Sequence, residues 1–528
     1  MRFGGVLGLL CAALIAPIAA SASGFSTYQP ATVDPAVSRP DGKRCTVVLL
    51  HDHGFGDFSP VHTQYSPPAQ CPGPWAKVVL DFDTRVKGVQ YDRIGMLWIG
   101  RDEVLRFSTA EPTRAGIRYH IEKDVSTYAP LLTAPRLVTT LLGNLVNKEY
   151  TGIFYVTATL TFYQGARPSP AAPDAILAVD GQGKDTPSVD SGRLVKTLSA
   201  LPRNIVHAVL DVYVTNHACD EFWYSNQPDA YAAAHKKDGL CGGNAYREID
   251  VSIDGKPASV IYPFPYIWTG GVNPLLWRPL SAIRTLDVPA YAVDLDPWAG
   301  VLSDGKAHAV GLSVLDDRGT WPMDANLLLW TDAHRTRTGG ALVEDTIASS
   351  APTSTSERQV GAGRRFWIAA NRDWRVSGYV DTSAGRVWHS IESHMHFWNL
   401  QYLNLGTGEG DATQTTSFTT VTTTRDKAGT RVRTQTTSYP LVANATYPLP
   451  QQMKPYTLVI YSEVHQGLMT SGSDGACEVH ADATATLKRI KADVDALAVG
   501  RTSESNVCSG ALGNFSIRKT AVNGALLP

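Results

Sequence analysis

Hydrophobic and polar residues alternate with a period of two along most of this chain. The alternating segments are rich in Val, Thr, Tyr and Phe, and the clearest are 78–82, 154–163, 205–214, 249–253 and 310–314. Such alternation is typical of antiparallel strands that bury one face and expose the other. Turn sequences separate the runs at Asp254-Gly255, Asp304-Gly305 and 427–429. The pattern therefore predicts an all-β protein built from antiparallel sandwiches.

Three segments depart from this simple alternation. Residues 131–146 and 485–499 carry apolar side chains at helical spacing, and we expect a helix at each of them. Between them, the segment from Thr413 to Thr437 is dense in threonine but is interrupted by large apolar side chains. These interruptions favour a long exposed hairpin over a mucin-like stalk.

Length and local composition divide the chain into three β-rich parts. A chain of 528 residues is longer than one hydrophobic core usually supports. We expect linkers at the Pro/Ala-rich segment 167–173 and at the Ser/Thr-rich segment 349–357. These linkers would separate an N-terminal domain at 25–170, a second domain at 175–350 and a C-terminal region at 351–528.

The N-terminus carries the features of a secretory signal peptide. Arg2 precedes an apolar run from Val6 to Ala20, and small residues at 20–22 have the spacing of a cleavage site. We therefore expect residues 1–22 to be removed and the protein to be secreted or periplasmic. The alternative is a buried N-terminal helix, but the segment has no polar face. No later apolar run approaches membrane length, so we expect no membrane insertion.

The cysteines point to disulfide bonds. Cys11 would leave with the signal peptide, and an even number of cysteines in an exported chain implies disulfides. The six that remain allow fifteen pairings. We favour sequential pairing because it closes only local loops, one in each third of the chain. The favoured pairs are Cys45–Cys71, Cys219–Cys241 and Cys477–Cys508.

Composition and motifs exclude several functional classes. The formal net charge of −2 gives no overall field that would favour nucleic acid. The chain lacks a zinc-binding H-E-x-x-H helix, a complete phosphate-binding loop and a G-x-S-x-G nucleophile turn. Residues 51–53 and 394–396 each place two histidines on one strand face, but no third ligand accompanies them. We therefore predict no metal and no cofactor.

One segment places an acid and a base side by side ahead of an apolar strand, namely Tyr91–Ile94. Further segments contribute to the same family resemblance as this one. They are 45–51, 65–71, 103–106, 109–112, 122–128, 144–152, 219–226 and 243–248. Together they resemble the peptide-N-glycosidase A family over most of residues 45–300. The resemblance implies a hydrolase that releases N-glycans by cleaving the amide between asparagine and the first sugar.

A more distant resemblance links the chain to bacterial peptide-N-glycosidase F enzymes, which are two packed jelly rolls. Tyr91–Ile94 is similar to the motif that holds their essential aspartate, which implies that Asp92 is catalytic. Residues 219–222 are similar to the motif that holds their second carboxylate, which implies the same of Glu221. Their third carboxylate falls near Asn144, so either Asn144 as an amide or Glu149 from a shifted position would take that role.

The resemblance also suggests which residues bind the substrate. Arg93 and Arg247 would bind the peptide or stabilise the oxyanion. Trp98 and Trp223 would either stack on sugar rings or lie in the core, and we favour the core because aromatic side chains dominate protein interiors. Glu248 lies on an alternating strand and would face either the cleft or solvent.

The sequence thus predicts an all-β protein of two packed jelly-roll-like antiparallel β-sandwiches plus a β-rich C-terminal region. The expected partners are N-glycosylated peptides and glycoproteins rather than nucleic acid, and the expected state is a monomer. Two alternatives stay open, a glycoside hydrolase that uses the same acids and a glycan-binding protein without catalytic activity.

Overall fold

The computed structural model describes residues 25, 27–165, 172–181, 183, 186, 192–446, 458–489 and 496–528. The predicted signal peptide and most of the predicted linker at 167–173 lie outside these residues. The described chain is all-β, with two packed jelly-roll-like sandwiches and one broad antiparallel sheet that forms most of the C-terminal region. No helix in the described residues has the length and apolar character needed to cross a membrane.

The strands of the two sandwiches are β1 (Arg44–Phe55), β2 (Val61–Tyr65), β3 (Trp75–Lys87), β4 (Ile94–Ile99), β5 (Asp102–Ser108), β6 (Ile117–Asp124), β7 (Arg136–Leu142), β8 (Ile153–Gln164), β9 (Ala175–Val179), β10 (Arg193–Leu198), β11 (Ile205–Val214), β12 (Ile249–Ile253), β13 (Lys256–Ile261), β14 (Asp287–Val288), β15 (Tyr291–Asp294), β16 (His308–Val314) and β17 (Met323–Thr331). All five segments with clear alternation lie within strands, as the sequence predicts.

The first sandwich packs the sheet β1-β8-β3-β6 against the sheet β14-β5-β4-β7-β2. Phe82 and Phe162 of one sheet share a buried cluster with Leu97 and Leu105 of the other. The second sandwich consists of the sheets β10-β16-β12-β13 and β15-β11-β17-β9. Strand β14 comes from the second half of the chain but pairs with β5, which joins the two sandwiches through backbone hydrogen bonds.

Within the described residues, helical structure is confined to short segments between strands. They are α1 (Asp229–Ala234), α2 (Ala299–Leu302) and the 3₁₀ turns Ser126–Thr133, Ala218–Asp220, Trp223–Ser225, Lys236–Asp238 and Asp296–Trp298.

The two helices predicted from apolar spacing are wrong. Residues 136–142 form β7, in which three successive residues from Val138 are buried, so the strand lacks the strict alternation of a half-buried strand. The segment 485–499 instead contains the end of one strand of the C-terminal sheet and the start of the next, and residues 490–495 lie outside the description.

The strands of the C-terminal sheet are β18 (Gly339–Asp345), β19 (Thr353–Val360), β20 (Gly363–Thr382), β21 (Gly385–Asn404), β22 (Glu409–Asp426), β23 (Gly429–Thr446), β24 (Leu458–Gly472), β25 (Gly475–Arg489), β26 (Ala496–Gly510), β27 (Phe515–Val522) and β28 (Ala525–Leu526). From β20 onward each strand pairs with the next along the chain, so the sheet is a meander. The threonine-dense hairpin is confirmed as β22 and β23. Residues 353–357 were expected in a linker but belong to β19, which pairs with β20.

One face of this sheet packs against the second sandwich. Phe366 and Phe397 of the sheet belong to the same buried cluster as Tyr246 and Val251 of the sandwich. The rings of Tyr246 and Phe397 lie 5.0 Å apart between centroids. The C-terminal sheet therefore shares its core with the second sandwich.

Candidate active site

Asp92 lies on the connection between β3 and β4, and a chain of side-chain hydrogen bonds holds this connection in place. Gln90 donates from Nε2 to Oδ1 of Asn144 at 2.6 Å and accepts at Oε1 from Nη2 of Arg93 at 2.8 Å. The guanidinium group of Arg93 lies over the ring of Tyr91, 3.7 Å from its centroid. Because both neighbours of Asp92 are fixed in this way, its backbone has a defined position.

Glu221 lies at the end of the 3₁₀ turn Ala218–Asp220, in the loop between β11 and β12. The disulfide bond between Cys219 and Cys241 ties this loop together. Asn216 donates from Nδ2 to the backbone carbonyl of Glu221 at 2.9 Å. The second acid is therefore also carried by a constrained backbone, on the second sandwich.

The three disulfide bonds of the described chain match the predicted pairing. They are Cys45–Cys71 in the first sandwich, Cys219–Cys241 beside Glu221, and Cys477–Cys508 between β25 and β26.

The electrostatics of Asp92 reveal a cluster of acids. Burial raises the pKa of the Asp92 carboxyl well above its usual value, and the negative charges of Glu221 and Glu111 raise it further. The positive charge of Arg93 lowers it in part. The charges of Glu221 and Glu111 both act on Asp92, so acids from both sandwiches lie near enough to interact here. The structure thus brings Asp92 and Glu221 together.

Glu111 is a third acid near Asp92, and the sequence predicted no function for it. It lies just after β5, is 5% exposed, and accepts a hydrogen bond at Oε2 from Nη2 of Arg278 at 2.7 Å. Burial raises the pKa of its carboxyl, and Arg278 lowers it in part.

The backbone beside Glu111 is fitted closely to its carboxylate. Gly270 has a φ of +93°, and a Cβ atom added there would lie 2.3 Å from Oε1 of Glu111. Only glycine fits this position, because both the conformation and the space exclude a side chain. The sequence could have indicated Glu111 only because it lies in segment 109–112, which resembles the family. Its proximity to Asp92 depends on tertiary packing.

The two candidates for the third role, Asn144 and Glu149, lie in different surroundings. Asn144 is fully buried and donates from Nδ2 to the carbonyls of Phe55 at 2.8 Å and Gly152 at 3.0 Å. Its amide is thus used inside the protein, where it positions the Asp92 connection through Gln90. Glu149 lies exposed on the loop between β7 and β8, outside the set of charges that raise the pKa of Asp92.

Comparisons with known proteins identify the family of this chain. A model of the family described as "Peptide N-acetyl-beta-D-glucosaminyl asparaginase amidase A" matches residues 30–348, which include both sandwiches. The chain belongs to this family. A relative from Prunus dulcis, described as peptide-N4-(N-acetyl-beta-glucosaminyl)asparagine amidase A, is 35% identical over 379 residues. That alignment covers 67% of this chain and 66%, just under two thirds, of the relative.

Solved structures give weaker likenesses. A structure of PNGF-II in a C2 crystal form is 12% identical, covers 55% of this chain and 66% of that chain, and has a TM-score of 0.38. A crystal structure of peptide-N(4)-(N-acetyl-beta-D-glucosaminyl) asparagine amidase is 14% identical, covers 55% of this chain and 96% of that chain, and has a TM-score of 0.37.

In this member of the amidase A family, the two tryptophans considered for sugar stacking are buried, which agrees with the favoured alternative of a core position. Trp98 has no exposed surface and donates from Nε1 to Oδ2 of Asp324 at 2.7 Å, across the interface between the sandwiches. Trp223 is 1% exposed and packs in the core of the second sandwich. Neither indole has a face open to a sugar ring, so both have structural positions.

The charged residues expected to bind substrate also lie inside this amidase A family member. Arg247 is 1% exposed and donates from Nη2 to Oδ1 of Asp220 at 2.6 Å, which supports the loop of Glu221. Glu248 is fully buried and accepts from the hydroxyl of Tyr246 at 2.7 Å. It also lies 3.4 Å from Nε of Arg372, so it joins the second sandwich to the C-terminal sheet.

Of the expected binding residues, Arg93 lies nearest to the acids of this amidase A family site. Its side chain is largely buried, at 7% exposed, and burial lowers its pKa. Its contacts with Gln90 and Tyr91 orient the connection that carries Asp92.

Clustered carboxyl groups can carry out acid–base chemistry without a metal. Ionising all three acids would place like charges close together in a partly buried site, so the cluster retains a proton at pH values where an isolated carboxyl would lose it. An ionised carboxylate can then accept a proton while a protonated neighbour donates one.

Proposed function

We propose that this protein is an exported amidase that hydrolyses the bond between the asparagine side chain and the innermost N-acetylglucosamine of N-glycosylated peptides and glycoproteins. The products would be a glycosylamine and a peptide in which the asparagine has become aspartate. The observation that carries the proposal is the convergence of Asp92 and Glu221 from separate sandwiches, with Glu111 beside them. Membership of the amidase A family supports the reaction class.

Amide hydrolysis needs both a base and an acid, and the cluster contains candidates for both. In the proposed reaction, ionised Asp92 takes a proton from the water that attacks the asparagine side-chain carbonyl carbon. The carbon–nitrogen bond of the tetrahedral intermediate then breaks as protonated Glu221 gives its proton to the departing nitrogen. Glu111 acts as a positioning residue because its charge helps to hold the pKa of Asp92 high.

Export is supported by the apolar N-terminal segment and by the disulfide bonds. Disulfides persist in oxidising compartments such as the periplasm or the extracellular medium. We propose secretion or periplasmic location on this basis, with the protein acting as a monomer.

Incubation with a defined N-glycopeptide tests the function, provided that mass spectrometry reads both products. Amidase activity gives the whole glycan and a peptide that contains aspartate at the former glycosylation site. A glycoside hydrolase would leave asparagine that still carries a sugar, and a binding protein would release nothing. Asp92→Asn should bind the glycopeptide but release glycan far more slowly; release at the rate of the unmodified protein would refute the role of Asp92.

A further inference from the structure

A cavity of about 380 Å³ lies between the second sandwich and the C-terminal sheet. Strands β13 and β15 line one side, and β22, β23 and β24 line the other. We call it the interlayer cavity. Its volume falls within the range of small-molecule binding sites, of order 300–1,000 Å³. None of the clustered acids Asp92, Glu111 and Glu221 lines it.

The C-terminal sheet presents polar side chains to this cavity, on the face that packs against the second sandwich. Along β23, the residues that face the sandwich change from the buried Leu441 and Ala443 to Thr437 and Gln435 at the cavity. Hydroxyl and amide groups therefore replace apolar side chains along this strand where it reaches the cavity.

The strand register arranges these polar groups as a grid. Thr420 of β22 lies opposite Gln435 of β23, and Thr437 of β23 lies opposite Thr470 of β24. Neighbouring strands are about 4.8 Å apart, so hydroxyl and amide groups recur at that spacing across three strands. A compact ligand with several hydroxyl groups matches such a surface, whereas an apolar ligand does not.

Two arginines line the cavity, and one of them, Arg284, has no ion-pair partner among the described residues. Arg284 comes from the second half of the chain and is exposed. Its φ of +55° is unusual for a residue with a side chain, and such strain is often found at functional sites. Arg433 also lines the cavity and pairs with Asp474 outside it. The carboxyl of Asp294 is the acid among the lining residues.

The inner wall of the cavity supplies aromatic surface. Trp374 and Tyr262 line it, and Nε1 of Trp374 donates to the hydroxyl of Tyr262 at 3.3 Å. Aromatic rings pack against the C–H groups of sugars while polar groups bind the hydroxyls.

We propose that the interlayer cavity binds a short acidic saccharide, with sugar hydroxyls on the threonine and glutamine grid and a sugar carboxylate at Arg284. The guanidinium group suits this ligand because its planar fork can donate two parallel hydrogen bonds to a carboxylate. The site is separate from the carboxylate cluster and does not require the proposed amidase reaction.

Titration calorimetry of the full-length protein with sialyllactose tests this proposal, with lactose as the neutral reference. Sialyllactose should bind and lactose should bind at least about tenfold more weakly, because the charged pair is lost. Arg284→Gln should reduce sialyllactose affinity by a similar factor. Absence of sialyllactose binding, equal affinity for lactose, or full affinity in Arg284→Gln would each overturn the proposal.

Two strand variants separate the cavity from general effects on the sheet. Thr420→Val removes a hydroxyl from the cavity with little change in shape and should weaken binding. Thr423→Val makes the same change on the same strand, but side-chain alternation places residue 423 on the opposite face, so binding should be unchanged. Equal losses in the two variants would show that the grid has no specific role.

Variants of the carboxylate cluster and of the cavity test whether the two sites act independently. Asp92→Asn should bind sialyllactose with unchanged affinity, and loss of binding would place the ligand at the cluster and refute the inference. Arg284→Gln should release a neutral glycan from a glycopeptide at the normal rate. Failure of glycan release by the unmodified protein would refute the proposed amidase function but would leave binding in the interlayer cavity unaffected.

Discussion

At the scale of single residues, the candidate site holds acids in surroundings that oppose their ionisation. Burial raises the pKa of Asp92 first, and the charges of Glu221 and Glu111 add to the effect. A folded protein tolerates such an arrangement because its packing fixes the groups, and perturbed acids are a common feature of catalytic sites. The arrangement should therefore cost stability when the acids are ionised.

Asp92→Asn should stabilise the fold near neutral pH while it removes activity. Because the folded state raises the pKa of Asp92 above its ordinary value of 3.8, the favourable contribution of this group is complete below that value. That contribution is lost as pH rises toward the raised pKa. Asparagine cannot ionise, so the variant should melt at a higher temperature than the unmodified protein at neutral pH, with a smaller difference below about pH 4.

Glycan release by Asp92→Asn should fall by about 10²–10⁴-fold, the usual contribution of a general base. Thermal melts at several pH values and an activity assay measure both effects. A melting difference that is the same at neutral and acidic pH would contradict the electrostatic explanation.

Glu111→Gln should move the pH profile of activity. Removal of the Glu111 charge removes one cause of the raised pKa of Asp92, so Asp92 should ionise at lower pH. The rising limb of kcat/KM against pH should shift toward acid. Glu149→Gln is the matched control because Glu149 lies exposed outside the cluster, and its profile should not move. An unshifted profile in Glu111→Gln, with the fold intact by circular dichroism, would exclude the positioning role.

Residue identity alone predicted part of this site. Asp92 and Glu221 were proposed because each lies in a short motif. Such a motif can be recognised in the sequence without knowledge of the fold. Glu111 was missed because its link to Asp92 arises only when the end of β5 approaches the other acids. Arg247 was assigned to substrate binding from the sequence, but tertiary packing buries it, whereas Trp98 is buried as the preference of aromatic side chains for cores suggests.

At the scale of elements, loops tied to rigid strands position the two acids. The Cys219–Cys241 bond closes the loop that carries Glu221, whereas Cys477–Cys508 joins strands that are already paired. The two bonds span similar sequence separations, 22 and 31 residues. They are therefore expected to stabilise the chain to a similar degree, about 3 kcal/mol in loop entropy.

Replacing both members of each cysteine pair with alanine separates activity from stability. The Cys219→Ala and Cys241→Ala double variant should lose most of its activity because Glu221 is no longer held. The Cys477→Ala and Cys508→Ala double variant should keep its activity at temperatures where it is folded. Urea unfolding and kcat measure the two effects. Equal activity losses at matched stability would contradict a positional role for the first bond.

Sequence periodicity identified elements best where one face of a strand meets solvent. The segment at 154–163 alternates clearly because β8 has such an arrangement along most of its length. Strand β7 lacks that contrast since its centre is buried on both sides, and a helix was predicted there instead. Alternation of apolar and polar residues therefore predicts a strand only where one face is buried and the other is exposed.

At the scale of the whole molecule, the second sandwich and the C-terminal sheet form one packed unit. They share a single buried cluster, and the buried pair of Glu248 and Arg372 crosses between them. The length and linker arguments from sequence suggested separate parts, because a sequence shows where chains turn but not which faces pack together. The sheet thus supports the sandwich that carries Glu221.

A core substitution in the C-terminal sheet should therefore destabilise the second sandwich. Phe397 is 3% exposed and packs on Tyr246, so Phe397→Ala should cost about 3–5 kcal/mol. Native-state hydrogen exchange should show lower protection of amides in β12 and β16 as well as in β20 and β21. Trp398→Ala is the control, since the adjacent residue points to the other face and should leave β12 and β16 protected. Unchanged protection of β12 and β16 in Phe397→Ala would show that the two layers unfold independently despite their shared core.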